Sequence, residues 1–147
     1  NISSYARGGH GLFSSINDYS FFAKMLHSGK SEKGEQILTK NTLKLISTNF
    51  LDSKYFPIEI ASMGTVKDEN YVNGLEAYGW GLGCRTLLDP SKQGNYGSIG
   101  EFGWAGAAST FFLVDNNKNL SATIMTQVLS GNPELSREFY NFIYSNF

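Results

Sequence analysis

Apolar residues between positions 16 and 26 recur at helical spacing, with Ile16, Tyr19, Phe22, Ala23 and Leu26 on one face. Ser15 stands ahead of that run, with Asp18 three residues on, as an N-cap with an acidic first turn. Gly29 stands where a helix wants a left-handed closing residue, so the pattern predicts a helix from 16 to 28. After a polar connector, KSEKGEQ, the stretch LTKNTLKLISTNF reads as a second short helix, capped by Thr39 with Leu43 and Ile46 turned inward. Residues 50–76 follow no period and read as a long surface excursion. From Tyr78 the pattern changes. YGWGLGCRTLL alternates Gly with larger residues and predicts a strand that allows close backbone approach, and DPSKQGNYG reads as a turn or loop. STFFLVD, NNKN and LSATIMTQVL predict a strand, a polar turn and a returning strand. NPELSREFYNFIYSNF closes the chain as a helix with Asn132 as N-cap, Pro133 at its first position, and Leu135, Phe139, Phe142 and Ile143 on one face. Helices before and after a run of antiparallel strands define an α+β fold, an antiparallel sheet with helices packed on it.

Composition narrows the function classes. The chain has 147 residues, enough for one domain with a real core, and its 41% apolar and 17% charged content is that of a globular protein. A net charge of -1 gives no electrostatic case for nucleic acid or an anionic membrane surface. No apolar run approaches the roughly 20 residues of a membrane span. Cys84 is the only cysteine, which excludes an internal disulfide and leaves the compartment open, extracytoplasmic or cytoplasmic. His10 and His27 lack acidic or cysteine partners at ligand spacing, so neither a metal nor a cofactor is expected. The chain begins at Asn1 instead of Met, as expected if these residues continue a longer polypeptide.

GEFGWAGAASTFFLVD, residues 100–115, raises the question of chemistry. Gly100, Gly103 and Gly106 come at every third position, although a plain core strand loses packing and backbone entropy at each glycine. Something must approach this backbone closely. Two segments together carry a resemblance: GGHGLFSSINDYSFFAKML, and EFGWAGAASTFFLVDNNKNLSATIMTQ with YGWGLG ahead of it. They resemble the serine β-lactamase-like superfamily, in the branch of class C β-lactamases, low-molecular-weight penicillin-binding proteins and related esterases. The resemblance covers roughly residues 5–145 and rests on order and spacing as well as wording. It implies that residues 1–147 are the C-terminal part of such a domain, without its N-terminal strands, nucleophile helix and helical subdomain.

In that family the third motif is Lys-Thr-Gly, or His/Trp-x-Gly in esterase-like and peptidase-like members, and the matching residues here are Trp104, Ala105 and Gly106. The resemblance implies that an acyl substrate, an ester, amide or β-lactam, lies along this strand. It also implies that the backbone N–H of Ala107 points at the oxyanion, a kind of donor worth about 3 kcal/mol of barrier. Trp104 departs from the Lys form. A cation there would pair with a substrate carboxylate, whereas an indole offers one N–H and a broad apolar face. Ala105 lacks the hydroxyl of the Thr form. Both changes favour ester or small-amide substrates over β-lactams.

The family's nucleophile is a Ser-x-x-Lys, and no serine of this chain has Lys three residues later. Tyr71-Val72-Asn73 matches the family's second motif in letters but follows the GGHGLFSS stretch, where the family places it before, and reads as coincidence. Full acyl-enzyme chemistry is therefore expected only of a longer parent. A penicillin-binding or sensor protein that acylates without turnover, and a non-catalytic binding module on the same fold, remain open. An unfinished sheet would also leave an edge for self-association.

Other constellations have plainer readings. DNNKN imitates the first ligands of a calcium loop, but the twelfth position is Thr126, and a hairpin turn accounts for it. GWGLG lacks the Lys and helix start of a nucleotide loop. Ser14 or Ser15 with His10 has no orienting carboxylate, and capping accounts for Ser15. Glu101 is a lone carboxylate at a strand start and reads as a solvated charge.

Overall fold

The computed structural model describes residues 12–56, 76–94, 96–129 and 133–147. The first helix, α1 (Ile16–Ser28), begins and ends where the sequence places it: the Ser15 Oγ accepts the Asp18 N–H, and Gly29 closes the helix in the left-handed region at φ 75°. A second helix, α2 (Lys40–Ile46), is capped by the Thr39 hydroxyl. Its Leu43 is buried, and Ile46 packs against the same core as α1.

Five strands follow: β1 (Tyr78–Trp80), β2 (Arg85–Leu87), β3 (Phe102–Ala105), β4 (Phe111–Asp115) and β5 (Leu120–Ile124). They form one antiparallel sheet in the order β1-β2-β3-β4-β5, a meander in which each strand pairs with its sequence neighbours. YGWGLGCRTLL is thus two short strands and a turn, with Tyr78 opposite Leu87 and Trp80 opposite Arg85, where the sequence predicts one strand. The close approach expected there is made by the chain itself: a side chain on Gly79 would meet Asn49, and one on Gly81 would meet the Ile46 carbonyl. Asn49 Oδ1 accepts the Trp80 N–H at 2.9 Å and the Thr86 hydroxyl donates to the Ser47 carbonyl at 2.7 Å, so the segment after α2 is laced to β1 and β2.

The β4–β5 hairpin is the one the sequence predicts, with Asp115 paired to Leu120 across the turn. Asp115 Oδ1 accepts the N–H groups of Asn117 and Lys118, and Asn119 takes φ 55°, which makes DNNKN a turn. All five residues of β4 are buried. Its even and odd positions feed different cores, as pleating requires. Phe112 and Val114 pack with Phe102, Ala23 and Leu26 under α1, while Phe111 and Leu113 pack with Tyr140 under the last helix, α3 (Pro133–Asn146). The sheet is therefore covered by α1 on one face and α3 on the other, consistent with the continuous apolar run STFFLVD. Each such Phe or Leu is worth about 1.5–3 kcal/mol of burial. On α3 the buried residues are Tyr140 and Ile143, with Phe139 and Tyr144 partly covered. Phe142, expected on the inner face, is 62% exposed, because the inward stripe is set by the tyrosines that reach a buried acid. The Gly-rich lead-in before Leu12, most of the excursion at 50–76, Tyr71 to Asn73, and the Asn132 cap lie outside the described residues.

Candidate functional site

Trp104 and Ala105 are the last residues of β3, in register with Phe112 and Phe111. They point to opposite faces. Trp104 packs against the α1 core and meets Trp80 edge-to-face, ring centroids 4.6 Å apart, while Ala105 joins the core under α3. Gly103 fits between β2 and β4 because a side chain there would run into the Phe112 carbonyl. Its glycine is thus required by the neighbouring strand.

Past Ala105 the chain turns back into β4. Gly106 donates its N–H to the Thr110 carbonyl at 2.8 Å and accepts the Ser109 N–H at 3.0 Å, and Ser109 itself sits at φ 57°. Side chains fix this turn to the segment after β5: the Ser109 hydroxyl donates to the Val128 carbonyl at 2.8 Å, and the Thr126 hydroxyl to the Ala108 carbonyl at 2.6 Å. The side on which Gly106 lacks a Cβ faces the Thr110 hydroxyl. Ala107 is exposed, and its N–H donates to no backbone carbonyl among the described residues. The four residues singled out in the sequence are thus one continuous strand exit: an aromatic pair, a small residue, a tight turn and an open N–H.

A second constellation, at the other end of β3, escapes the sequence reading. Glu101 is 1% exposed, so the expectation of a solvated charge is overturned: the residue lies beneath α3. Tyr140 Oη donates to its Oε1 and Tyr144 Oη lies against its Oε2, both at 2.7 Å. Arg85 Nη2 donates to Tyr140 Oη at 2.8 Å, and its guanidinium lies 4.5 Å from the ring centroids of both Tyr78 and Phe111. Burial works against the Arg85 charge, but the oxygens of Tyr140, Tyr78 and Glu101 more than offset it and keep the guanidinium charged. Burial raises the Glu101 carboxyl above the ordinary range, against the opposing pull of Tyr140, Arg85 and Tyr144, and the Asp115 carboxylate pushes it further up. Tyrosines four residues apart on a helix were the available signal, since spacing of that kind puts both hydroxyls on one face.

Ser14 and Ser15 serve α1. Ser15 Oγ donates to Asp18 Oδ2 at 2.7 Å and Ser14 Oγ to the Ser15 carbonyl at 3.1 Å, while His10 lies outside the described residues. His27, in the last turn of α1, places its two ring nitrogens 2.9 Å from the side-chain oxygens of Asn116 and Asn119, which ties the helix to the β4–β5 turn.

The fold and these sites define a three-layer α+β domain with an exposed strand exit on one side and a buried acid–tyrosine–arginine network on the other. No protein-family model matches the chain. It is similar to two curated proteins of Mycobacterium tuberculosis, "Uncharacterized protein MT1414" of strain CDC 1551 / Oshkosh and "Protein Rv1367c" of strain H37Rv. Each is 24% identical over 150 residues, an alignment that covers 91% of this chain and 35% of the relative, so the chain spans about a third of their length.

Proposed function

We propose that this chain is the C-terminal portion of a β-lactamase-like serine hydrolase, and that β3 and its exit form one wall of the active site. In the whole protein an acyl substrate lies along Trp104, Ala105 and Gly106, and the Ala107 N–H is an oxyanion donor. The observation that carries this reading is the β3 exit, where the exposed Ala107 N–H, without a partner among the described residues, sits in a turn tied down by Ser109 and Thr126. A preorganised donor needs that combination of availability and fixed direction. The nucleophilic serine and its base come from outside these residues, which agrees with a chain that aligns to 35% of longer relatives. Trp104, packed on Trp80, gives the wall an apolar aromatic surface with no cation, which favours uncharged esters and small amides over carboxylate-bearing β-lactams. Among the described residues no strand pairs with the outer edge of β5, and on the same reading that edge can take another strand, including that of a second copy.

The test is a fluorophosphonate probe on the full-length protein that carries these residues, read by intact mass and peptide mapping. A label on a serine outside the 16.2 kDa segment is the expected result. A label on Ser14 or Ser15 would relocate the nucleophile, and the absence of any label would leave a non-catalytic binding module. In the labelled enzyme, Ala107→Pro removes the proposed donor and should lower kcat by about 100- to 1,000-fold with little change in KM.

A further inference from the structure

Counting protons in the network under α3 leads to a definite state. Each tyrosine hydroxyl carries one proton, and Tyr140 and Tyr144 are both raised by burial and so stay protonated. Tyr140 spends its proton on Glu101 Oε1 and accepts from Arg85 Nη2, with Tyr78 Oη a further 3.2 Å away as a second donor. Tyr144 Oη, however, lies between two carboxyl oxygens, 2.7 Å from Glu101 Oε2 and 3.2 Å from Asp115 Oδ2. One proton cannot serve both contacts. If Tyr144 donates to Glu101, its oxygen faces Asp115 Oδ2 with no hydrogen between them. The other oxygen of Asp115 is already taken by the N–H groups of Asn117 and Lys118. Every contact is satisfied when one further proton sits on one of the two acids. Because Asp115 already accepts two backbone N–H groups while the oxygens of Glu101 meet only tyrosine hydroxyls, we place it on Glu101, whose Oε2–H donates to Tyr144 while Tyr144 donates to Asp115.

We propose that Glu101 is held as a neutral carboxylic acid and that Glu101, Tyr144 and Asp115 form a proton-dependent latch joining α3 to the starts and ends of the central strands. Glu101 immediately precedes β3, Asp115 ends β4 and Tyr144 sits in the last turns of α3, so the latch spans three elements. The charged and titratable groups that face it are Arg85 on β2, Tyr78 on β1, Tyr140 on α3, and Lys118 in the β4–β5 turn, whose Nζ lies 5.6 Å from the Tyr144 ring centroid. Arg85 reaches Glu101 only through the Tyr140 hydroxyl; among the described residues it forms no ion pair. A neutral acid at the centre strips no direct salt bridge from the guanidinium; it gives up the through-space pull of a Glu101 carboxylate and leaves the Tyr140 hydroxyl and the rings of Tyr78 and Phe111 against the charge. The folded protein holds this proton more tightly than the unfolded chain, whose glutamates titrate near about 4.3. The latch then contributes stability at low pH and loses it as the pH rises through the folded-state value, the reverse of an ordinary salt-bridged carboxylate.

The proton can be read directly by carbon-13 NMR of the intact protein labelled at glutamate side-chain carboxyls. At about pH 6, above the ordinary glutamate range, one carboxyl should resonate at the upfield position of a protonated acid while the others have become carboxylates. Thermal melts give the second reading. Glu101→Gln, whose amide donates to Tyr144 as the acid does, should match the wild-type melting temperature at low pH and exceed it as the pH rises. All glutamates at the carboxylate position at about pH 6, or parallel pH profiles for the two proteins, would overturn the proposal. If the variant does not fold, the resonance alone decides.

Discussion

At the residue scale, the consequential positions are those where one atom more or less meets something rigid. Gly103 is buried between β2 and β4, and a Cβ there would enter the Phe112 carbonyl, which belongs to the backbone and cannot rotate away. Gly103→Ala should therefore destabilise by about 1–3 kcal/mol, as overpacking does, measured as a lower urea midpoint at unchanged slope. Cys84 gives a second check. Burial pushes its thiol up to about 11, against the opposing pull of Arg85, so little thiolate exists near neutrality. Its alkylation by iodoacetamide at about pH 8 should be roughly a hundredfold slower in the native protein than in denaturant, where the thiol returns to about 8.5. The sequence made neither residue's environment visible. A glycine signals close approach without saying which neighbour approaches, and at Gly103 the neighbour is β4.

At the element scale, the helices were legible and the short strands only partly so. α1 was readable to the residue, because Ser15, Asp18 and Gly29 are local signals that need no tertiary partner. Ser15→Ala removes the hydroxyl that accepts the Asp18 N–H and donates to the Asp18 carboxylate and should cost about 1 kcal/mol, visible as a lower melting temperature that Ser15→Thr largely restores. The β4–β5 hairpin was readable for the same reason, through its polar turn. β1 and β2 look like one strand in the sequence because each has three residues, too few for alternation to register, and their turn is as glycine-rich as the strands. On α3 the helix was legible but its inner face was not. Apolar spacing nominated Phe142, whereas the burial of Tyr140 and the partial cover of Tyr144 follow from hydroxyls seeking Glu101, a partner about forty residues away that no local pattern contains.

At the scale of the whole molecule, the sheet is closed on its faces and bordered at β1 by the segment after α2, while among the described residues no strand lies beyond β5. α1 and α3 cover β4 from both directions, while among the described residues β5 pairs with β4 alone. Its sequence, Leu-Ser-Ala-Thr-Ile, carries no charge, no proline and no bulge, the devices by which edge strands avoid pairing with other chains. Leu12 and Phe13, ahead of α1, are 99% and 100% exposed, so apolar surface elsewhere adds to the tendency to associate. Under the proposed function, a strand from the rest of a longer protein covers this edge, and the 147-residue chain alone must find a substitute. Sedimentation velocity of the isolated chain should then show concentration-dependent dimers or larger species, and Ser121→Lys on β5 should shift the population towards monomer at unchanged helix content. In the full-length protein the same substitution should have no effect on association and should lower stability instead, since the lysine would sit in a paired strand. A monomeric isolated chain would mean that the β5 edge is protected by its own twist or by neighbouring side chains, and the case for a missing strand would fall with it.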